Sequence, residues 1–239
     1  MNNYEEQYWA ERAGKYNKTN WVKNEAFIDA FLGMLPQQDF KQIFEVGIGT
    51  GVVAEKITEK LGPLTGIDIS KEMIAKINHP QISAIVGDAH DLPFGDSYFD
   101  LIYMRNVIHY IDNPQMVFSE IHRCLINGGY FLFSQVIPPD DSISEEYDWL
   151  VGRNIHYPNQ GEINELLSQF TDLKMDAFIL ENQSIMNWLN NTCNDEKKKQ
   201  EIIKRHRETS DKYKSLANLK TADDDILVDI KHIMILGSK

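Results

Sequence analysis

Cysteine is scarce in this sequence, since the 239 residues include only Cys124 and Cys193. Two cysteines this far apart form neither a disulfide framework nor a Cys-x-x-Cys metal knuckle. A chain with so few thiols is typical of a reducing compartment, so we expect a cytoplasmic protein. The sequence also lacks metal-ligand spacing among its His, Cys, Asp and Glu residues, and we expect no metal site.

Long apolar runs and positive charge are lacking as well. No apolar stretch approaches the roughly 18 residues of a transmembrane helix, and the polar stretch "MNNYEEQYWAERAG" predicts no signal peptide. Lys and Arg number 24 against 36 Asp and Glu, which gives a formal net charge of −12. Because Lys and Arg are needed to neutralise phosphates, this charge argues against nucleic acid or a membrane as a partner.

Strand and helix patterns alternate over much of the chain. Apolar strands are predicted in the stretches "KQIFEVG", "PLTGIDIS", "QISAIVGD", "FDLIYMRN" and "GGYFLFSQV". Helices are predicted between several of them; Ser70 and Asn113 are typical N-cap residues for two helices, and Gly62 is a typical stop for another. Because the strands are apolar throughout, they indicate a parallel sheet covered on both faces, in a doubly wound α/β fold.

The alternation changes after Val136. A long connection with aromatic residues is followed by a predicted helix, "GEINELLSQF", and by two further strands, "LKMDAFILEN" and "DILVDIKHIMILGSK". The stretch between these two strands is rich in helix formers, so we expect an inserted helical element there. We find no linker that would separate a second domain.

A glycine-rich turn follows the first predicted strand. The stretch "IFEVGIGTGVVAEKI" places Gly47, Gly49 and Gly51 at alternating positions directly after an apolar run. Glycine has no Cβ, so the chain can take unusual backbone angles and a ligand can approach the backbone closely. Such a turn, at the carboxyl edge of a parallel sheet, is where doubly wound folds bind nucleotide-like ligands.

Two acidic residues lie where a nucleoside would need them. Asp68 ends the next predicted strand about 20 residues after Gly47, the spacing at which a carboxylate accepts hydrogen bonds from ribose hydroxyls. Asp88 follows the third strand, where it can accept a hydrogen bond from an exocyclic amine such as adenine N6. The sequence therefore predicts a ligand with an adenosine or a similar nucleoside.

Two classes of cofactor fit a glycine turn with a ribose carboxylate. The run Gly49-x-Gly51-x-x-Ala54 can be read as the GxGxxA of a dinucleotide enzyme, but a pyrophosphate needs helix N–H groups without a carboxylate nearby, and Glu45 precedes the turn. S-adenosylmethionine (SAM) has no phosphate and carries an ammonium and a cationic sulfur. Read from Gly47 at the strand end, the dinucleotide pattern is also broken by a valine. These features favour SAM.

The successive motifs resemble those of a known family. The stretches "FEVGIGTG", "GIDISKEMI", "VGDAHDLPFGDSYFDLIYMRNVIHYIDNP" and "IHRCLINGGYFLF" are similar to motifs of the class I SAM-dependent methyltransferases. The resemblance covers roughly residues 40–137. It is closest to the branch with the ubiquinone/menaquinone-biosynthesis and small-molecule (type 11) methyltransferases. It implies a Rossmann-like sheet of seven mostly parallel strands with an antiparallel last strand.

The resemblance also implies a set of cofactor-binding residues. In chain order these are Tyr16, Glu45, Gly47, Gly49, Gly51, Asp68, Ile69, Met73, Asp88, Ala89 and Asn106. Tyr16 would belong to an N-terminal lid. Glu45 and the glycines would line the methionine part of SAM, and Asp68 would bind the ribose. Ile69 and Met73 would lie against adenine, and Asp88 and Ala89 would lie at its amino edge. The last residue would contact the SAM ammonium or carboxylate.

Candidate residues for the acceptor side lie later in the chain. His109, in "RNVIHYI" just past the fourth strand, is predicted on the cofactor side, as a general base or as a wall of the methyl-transfer pocket. His156 and Tyr157 lie in the connection after the fifth strand, which usually borders the acceptor. Trp149 and Trp188 are predicted aromatic walls of that pocket.

We therefore expect a SAM-dependent methyltransferase that acts on a small organic acceptor by in-line displacement and releases S-adenosylhomocysteine. Oxygen is the first predicted acceptor atom, followed by nitrogen or carbon. An NAD(P)-dependent oxidoreductase and a non-catalytic SAM-fold binding protein are the alternatives. The expected parts are one domain over 1–239, with a helical lid at 1–36, a SAM-binding core at 37–137 and substrate caps at 138–160 and 184–224.

Overall fold

A computed structural model describes residue 9 and residues 13–14, 16–18, 24–152, 155–222 and 224–239. Its strands are β1 (Ile43–Val46), β2 (Leu64–Asp68), β3 (Ile82–Val86), β4 (Phe99–Arg105), β5 (Leu125–Val136), β6 (Thr171–Ser184), β7 (Lys220–Ala222) and β8 (Asp225–Ser238). Its helices are α1 (Glu25–Gly33), α2 (Val52–Leu61), α3 (Lys71–Ile74), α4 (Pro114–Cys124), α5 (Ser144–Val151), α6 (Gln160–Leu166), α7 (Ile185–Thr192), α8 (Glu196–Glu208) and α9 (Asp211–Leu216). Short 3-10 turns cover Tyr16–Lys18, Ile108–Tyr110 and Asp141–Ile143.

Within these residues, eight strands form one sheet in the order β3-β2-β1-β4-β5-β8-β6, with β7 paired to β8. Strands β1 to β5 pair in parallel, and β8 runs antiparallel to both β5 and β6. The predicted doubly wound, mostly parallel sheet with an antiparallel last strand is confirmed. Seven strands were expected, and the additional one is the three-residue β7, which lies inside the stretch predicted to be a helical insertion.

Helices cover both faces of the sheet, as the unbroken apolar strands predict. On one face, Phe118 of α4 and Ile163 of α6 pack in a buried cluster with the phenylalanines of β5. On the other face, Phe27 and Phe31 of α1 and Ile57 of α2 form a second buried cluster. Burial on both faces keeps the strand ends in fixed positions, so the loops that follow them form a rigid edge.

The predicted helix boundaries agree with the observed caps. Ser70 accepts a hydrogen bond from the Met73 amide at 3.2 Å, and Asn113 accepts one from the Met116 amide at 3.3 Å. Gly62 ends α2 with φ at 90°. Each cap satisfies backbone groups that a helix end leaves without a partner.

The connection 138–160 differs from the expectation, because it contains α5. The helix starts with Glu145 and Glu146 in its first turn and ends at Gly152, whose φ is 64°. Acidic residues at the start and a left-handed glycine at the end are ordinary helix signals. In a helix of only eight residues these signals are weak, so the sequence predicts only a connection there.

The insertion between β6 and β8 lies at the carboxyl edge of the parallel strands. Because β8 runs antiparallel to β5, its early residues lie beside the end of β5, and Val136 pairs with His232. The insertion precedes β8, so it emerges at this edge. There α7, α8 and α9 share a small core with α5, formed by residues such as Leu150, Leu189 and Ile202.

Candidate active site

A cleft of about 1340 Å³ lies at the carboxyl edge of the sheet. The loops after β1, β2, β3 and β4 form one side of it. Residues of α7 and α8 in the insertion, such as Leu189 and Lys198, contribute to the opposite side. The described wall also includes Trp9 from the N-terminal stretch.

The three glycines of the first turn have positive φ values of 76°, 56° and 74°, but their surroundings differ. A Cβ on Gly47 would lie 2.4 Å from Val107 Cγ2, and one on Gly51 would lie 2.9 Å from Ile77 Cγ1. A Cβ on Gly49 would meet nothing within 4 Å. Gly47 and Gly49 line the cleft, whereas Gly51 is the N-cap of α2 and does not. Gly49 is therefore the position that leaves open space for a ligand.

Asp68 and Asp88 both line the cleft. Asp68 Oδ2 accepts a hydrogen bond from the Gly49 amide at 2.8 Å, and Oδ1 accepts one from the Ser70 amide at 2.9 Å. Burial raises the pKa of Asp68, and the hydrogen bonds from the backbone amides oppose this effect. Each carboxylate oxygen has a second lone pair, so a ribose diol can still be bound. Asp88 Oδ1 accepts a hydrogen bond from the His90 amide at 2.9 Å.

The structure brings the predicted adenine-side residues to the same cleft. Ile69 and Ala89 line it, as does Met73, which is otherwise buried in the fold. Apolar groups beside two carboxylates form a surface of mixed character, with flat apolar walls and hydrogen-bond acceptors at the edges. Such a surface suits a purine ring and its ribose.

Asn106 ends this part of the site at the loop after β4. Its φ is 55°, and its Oδ1 accepts a hydrogen bond from the Val136 amide at 2.9 Å. Its Nδ2 is buried and has no hydrogen-bond acceptor among the residues that the structure describes. A buried donor without an acceptor is costly, and the carboxylate of SAM would supply one. The donors and acceptors of this wall therefore fit SAM.

Glu45 does not line the cleft, contrary to the prediction. It points into the interior with 4% exposure and accepts a hydrogen bond from the Tyr103 hydroxyl at 2.8 Å. Burial raises its pKa to about 8, although Tyr103 and Arg105 act in the opposite direction. The reason is that β1 is buried on both faces of the sheet. Each of its side chains therefore enters the core on one face or the other.

The side chain of the predicted lid tyrosine, Tyr16, lies outside the described residues, and so do most of the lid residues before residue 24. Trp9 is described, and its ring lies 4.7 Å from that of Tyr110 in an edge-to-face arrangement. Trp9 thus brings the N-terminal stretch to the cleft wall.

His109 lies in the 3-10 turn after β4 and lines the cleft, as predicted from its position. Its Nδ1 is 2.9 Å from Gln135 Nε2, which also donates to the Val136 carbonyl at 3.0 Å. Because a carbonyl only accepts, the amide nitrogen of Gln135 must face both groups. His109 Nδ1 is then an acceptor, and the neutral imidazole carries its proton on Nε2. This arrangement presents an N–H donor rather than a base.

A second cavity, which we call the inner pocket, adjoins the cleft. It has a volume of about 90 Å³. It shares the residues Trp9, Asn106, His109 and Tyr110 with the cleft wall. Four further aromatic side chains line it: Tyr147, Tyr157, Trp188 and Tyr213. The inner pocket thus begins where the predicted methyl-transfer site ends.

The predicted acceptor residues divide between different places. Tyr157 and Trp188 line the inner pocket, and the Tyr157 ring stacks on His109 with centroids 4.6 Å apart. His156 lines the outer cleft. Trp149 lines neither cavity; it is 47% exposed and packs over Arg205 at 5.1 Å. The prediction that Trp149 forms a pocket wall is therefore wrong, because its position on α5 turns it to the surface.

His156 is held by two carboxylates. Its Nδ1 lies 2.6 Å from Asp148, and its Nε2 lies 2.9 Å from Glu162. Partial burial lowers the pKa of His156, but the bonds to Asp148 and Glu162 raise it above the usual value overall. The imidazole therefore carries positive charge more readily than an exposed histidine does, and it links α5 to α6.

Some site residues were missed from the sequence. Gln135 orients His109, and its signal was a polar pair, Ser134 and Gln135, at the end of an otherwise apolar strand. Tyr213 and His206 line the inner pocket from α9 and α8. No local pattern marks these two, because they reach the pocket only through the packing of the insertion.

The sheet order, the antiparallel last strand and the cleft at the carboxyl edge are those of the class I SAM-dependent methyltransferase fold. Comparisons with known proteins agree. Residues 44–133 match the family model described as "Methyltransferase domain". Phthiotriol/phenolphthiotriol dimycocerosates methyltransferase 1 of Mycobacterium ulcerans is 32% identical over 130 residues, which cover 52% of this chain and 48% of that protein.

Solved structures share the fold at low sequence identity. The YcgJ protein of Bacillus subtilis has a TM-score of 0.77 at 19% identity and covers 90% of this chain and 99% of its own. Phosphoethanolamine N-methyltransferase 2 of Haemonchus contortus, solved with phosphomonomethylethanolamine and S-adenosylhomocysteine, has a TM-score of 0.62 at 20% identity. It covers 92% of this chain and 53% of its own.

Residues 44–133 are therefore similar to a methyltransferase domain, and the fold of the chain is that of the class I SAM-dependent methyltransferases. This similarity favours SAM over a dinucleotide as the cofactor. The chain spans 48% of the length of the Mycobacterium ulcerans relative and 64% of the length of another curated relative. Among the residues that the structure describes, no helix is long and apolar enough to cross a membrane.

Proposed function

We propose that this protein transfers a methyl group from SAM to a small organic acceptor and releases S-adenosylhomocysteine. One observation carries the proposal: the cleft with the glycine turn and Asp68 shares the wall at His109 and Asn106 with the inner pocket. The inner pocket has a volume of about 90 Å³, which suits a small molecule.

SAM supplies an electrophilic methyl group on a cationic sulfur. We place its ribose at Asp68 and its adenine between Ile69 and Met73, with the amino edge towards Asp88 and Ala89. Asn106 Nδ2 would donate to the carboxylate, and the backbone at Gly47 and Gly49 would allow close approach. Glu45 is left out of this set, because its carboxyl is bonded to Tyr103.

The residues of the chain would act mainly by positioning. Holding the acceptor in line with the methyl group and the sulfur supplies much of the acceleration of such a displacement. Excluding water helps as well, because the positive charge is dispersed during transfer. We propose that His109 and Tyr157 form the wall at this point, and that 138–160 and 184–224 act as the caps predicted from the sequence.

Oxygen is the first acceptor atom predicted from the sequence, with nitrogen or carbon next. A hydroxyl acceptor must lose a proton, for which a base within hydrogen-bond reach is the usual device. His109 lines both cavities, but its Nδ1 already accepts from Gln135 and is not available as that base. This arrangement favours an acceptor atom that reaches its nucleophilic form without a base from the protein.

Calorimetry and a turnover assay test the proposal together. Purified protein is titrated with S-adenosylhomocysteine and, separately, with NAD and NADP. It is then incubated with SAM and a panel of small alcohols, phenols, amines and carbon acids, and release of S-adenosylhomocysteine is followed. We expect micromolar or tighter binding of S-adenosylhomocysteine and turnover with at least one class. Binding of a dinucleotide in its place would refute the proposal; binding without turnover would indicate a SAM-fold protein that is not an enzyme.

A further inference from the structure

We propose that the acceptor is a small amine, bound in the inner pocket and methylated on nitrogen. This inference rests on the proposed function and specifies its substrate class. It depends on three features of the structure: the charge of the inner pocket, the continuity of its aromatic wall, and the protonation of the two histidines at its ends.

The inner pocket suits a cation. Among the described residues that line it, none is Lys or Arg, and one, Asp229, is a carboxylate. Asp229 accepts hydrogen bonds from the Asn182 amide at 2.8 Å and from Asn218 Nδ2 at 3.0 Å. Aromatic faces in a lining without Lys or Arg attract ammonium groups through cation–π interactions.

The aromatic wall is continuous from the cleft to the far end of the inner pocket. Tyr110 and His109 have ring centroids 4.1 Å apart, and Tyr157 and Tyr147 have centroids 5.4 Å apart. Further in, Tyr147 lies 6.5 Å from Tyr213. A cation that enters from the cleft therefore lies beside aromatic rings along the whole path.

This wall fits the movement of charge in N-methylation. The nitrogen lone pair forms the new bond to the methyl carbon while the carbon–sulfur bond breaks, and its electron pair goes to sulfur. The positive charge passes from sulfur to nitrogen. Because an ammonium group has no lone pair, the bound amine first gives one proton to water, and its neutral form makes the attack. The rings can therefore stabilise the charge on both atoms and in between, and the N–H of His109 is no hindrance.

His206, at the far end, has the opposite orientation to His109. Its Nδ1 lies 2.9 Å from the Ile202 carbonyl, so Nδ1 carries the proton and Nε2 keeps a lone pair. Burial lowers the pKa of His206, with a smaller opposing effect of this carbonyl. The imidazole is thus neutral at pH 7, adds no repulsive charge, and offers an acceptor for a polar group of the amine.

A pair of isosteric probes isolates the role of charge. Choline and 3,3-dimethylbutan-1-ol have the same shape and differ by nitrogen in place of carbon, and hence by one positive charge. Each is titrated by calorimetry into the protein with and without saturating S-adenosylhomocysteine. We expect choline to bind at least tenfold more tightly. Equal or tighter binding of the uncharged alcohol would overturn the inference.

Tryptophan variants locate the binding. Trp188→Leu should weaken choline at least tenfold, whereas Trp188→Phe, which keeps a ring, should retain most of the affinity. Trp149→Leu is the matched control, because Trp149 lines neither cavity, and its choline affinity should stay within twofold of the parent. An equal loss in the Trp149 and Trp188 leucine variants would place the cation elsewhere and overturn the inference.

The same titrations separate the two proposals. If S-adenosylhomocysteine binds the parent protein and choline shows no preference over the alcohol, the amine inference fails and methyl transfer stands. If S-adenosylhomocysteine does not bind at all, the proposed function fails, whatever the probes do. Turnover with phenols or alcohols but not with amines would also contradict the amine assignment alone.

Discussion

The two halves of the site are built in different ways. The cofactor half uses backbone turns and residues directly after strands, such as Gly49 and Asp68, which a few residues of local sequence bring into place. The acceptor half uses side chains from α5, α7 and α9, such as Trp188 and Tyr213, which meet only because the insertion folds over the sheet edge. The cofactor half can therefore be recognised from sequence motifs, whereas the acceptor half can be recognised only in the folded structure.

The largest expected effect falls on the cofactor half. Asp68→Ala removes the carboxylate proposed to bind both ribose hydroxyls and the acceptor for the Gly49 and Ser70 amides. Two hydrogen bonds to a charged group contribute about 1.5–3 kcal/mol each, so S-adenosylhomocysteine affinity should fall at least about 100-fold, or by about 3 kcal/mol or more. Calorimetry measures this loss. Asp39→Ala, at an exposed position, is the control, and unchanged affinity in Asp68→Ala would contradict the ribose assignment.

Glu45 separates what supports the cofactor half from what touches the cofactor. Its folded pKa of about 8 lies above the ordinary value of 4.5, so the native state keeps a proton that the unfolded state loses. Stability should then fall as pH rises from about 4.5 to about 8, by roughly 1 kcal/mol per pH unit. Glu45→Gln should remove this slope.

Urea unfolding at several pH values measures the slope, and calorimetry provides the second readout. S-adenosylhomocysteine affinity should stay within a few-fold in Glu45→Gln, since the carboxyl lies outside the cleft. A parallel pH dependence in parent and variant would show that other groups set the slope. A large loss of affinity would restore Glu45 to the cofactor site.

The glycine turn offers a comparison within one loop. Gly47→Ala adds a Cβ 2.4 Å from Val107 at a φ of 76°, so stability should fall by about 2 kcal/mol. Gly49→Ala adds a Cβ where nothing lies within 4 Å, so it should cost about 1 kcal/mol for its backbone angle alone. Gly49→Ala should instead lower S-adenosylhomocysteine affinity, because its Cβ enters the cleft.

Urea unfolding and calorimetry of the two variants form a crossed test. Gly47→Ala should show the larger loss of stability. Gly49→Ala should show the larger loss of S-adenosylhomocysteine affinity relative to its loss of stability. If Gly49→Ala binds S-adenosylhomocysteine as tightly as the parent, the ligand does not approach the backbone there.

The sequence was sufficient for the sheet and for most of the cofactor half. Apolar strands with helices between them predict a parallel sheet, and its carboxyl edge then brings Asp68 and Asp88 to the glycine turn. The prediction for Glu45 failed because position along a strand does not tell which face a side chain enters when both faces are buried. Register and packing decide that, and both come from the whole sheet.

The acceptor half could be predicted only in part, and α5 shows the reason. Tyr147 and Trp149 lie two residues apart, yet Tyr147 lines the inner pocket and Trp149 lies at the surface over Arg205. On a helix, neighbours two apart point to different sides. In a helix of eight residues, the apolar pattern is too short to decide which side is buried. The sequence therefore predicts Tyr147 and Trp149 equally well as pocket residues.

The smallest expected effect concerns the boundary between the two halves. His109→Asn keeps an N–H donor but removes the ring stacked on Tyr157, so turnover should fall about tenfold by loss of packing and entry of water. Release of S-adenosylhomocysteine with any acceptor that the parent methylates measures this change. A general base would cost 10²–10⁴-fold. A loss of that size, with S-adenosylhomocysteine affinity unchanged, would show that His109 removes a proton and would return oxygen to first place among the acceptor atoms.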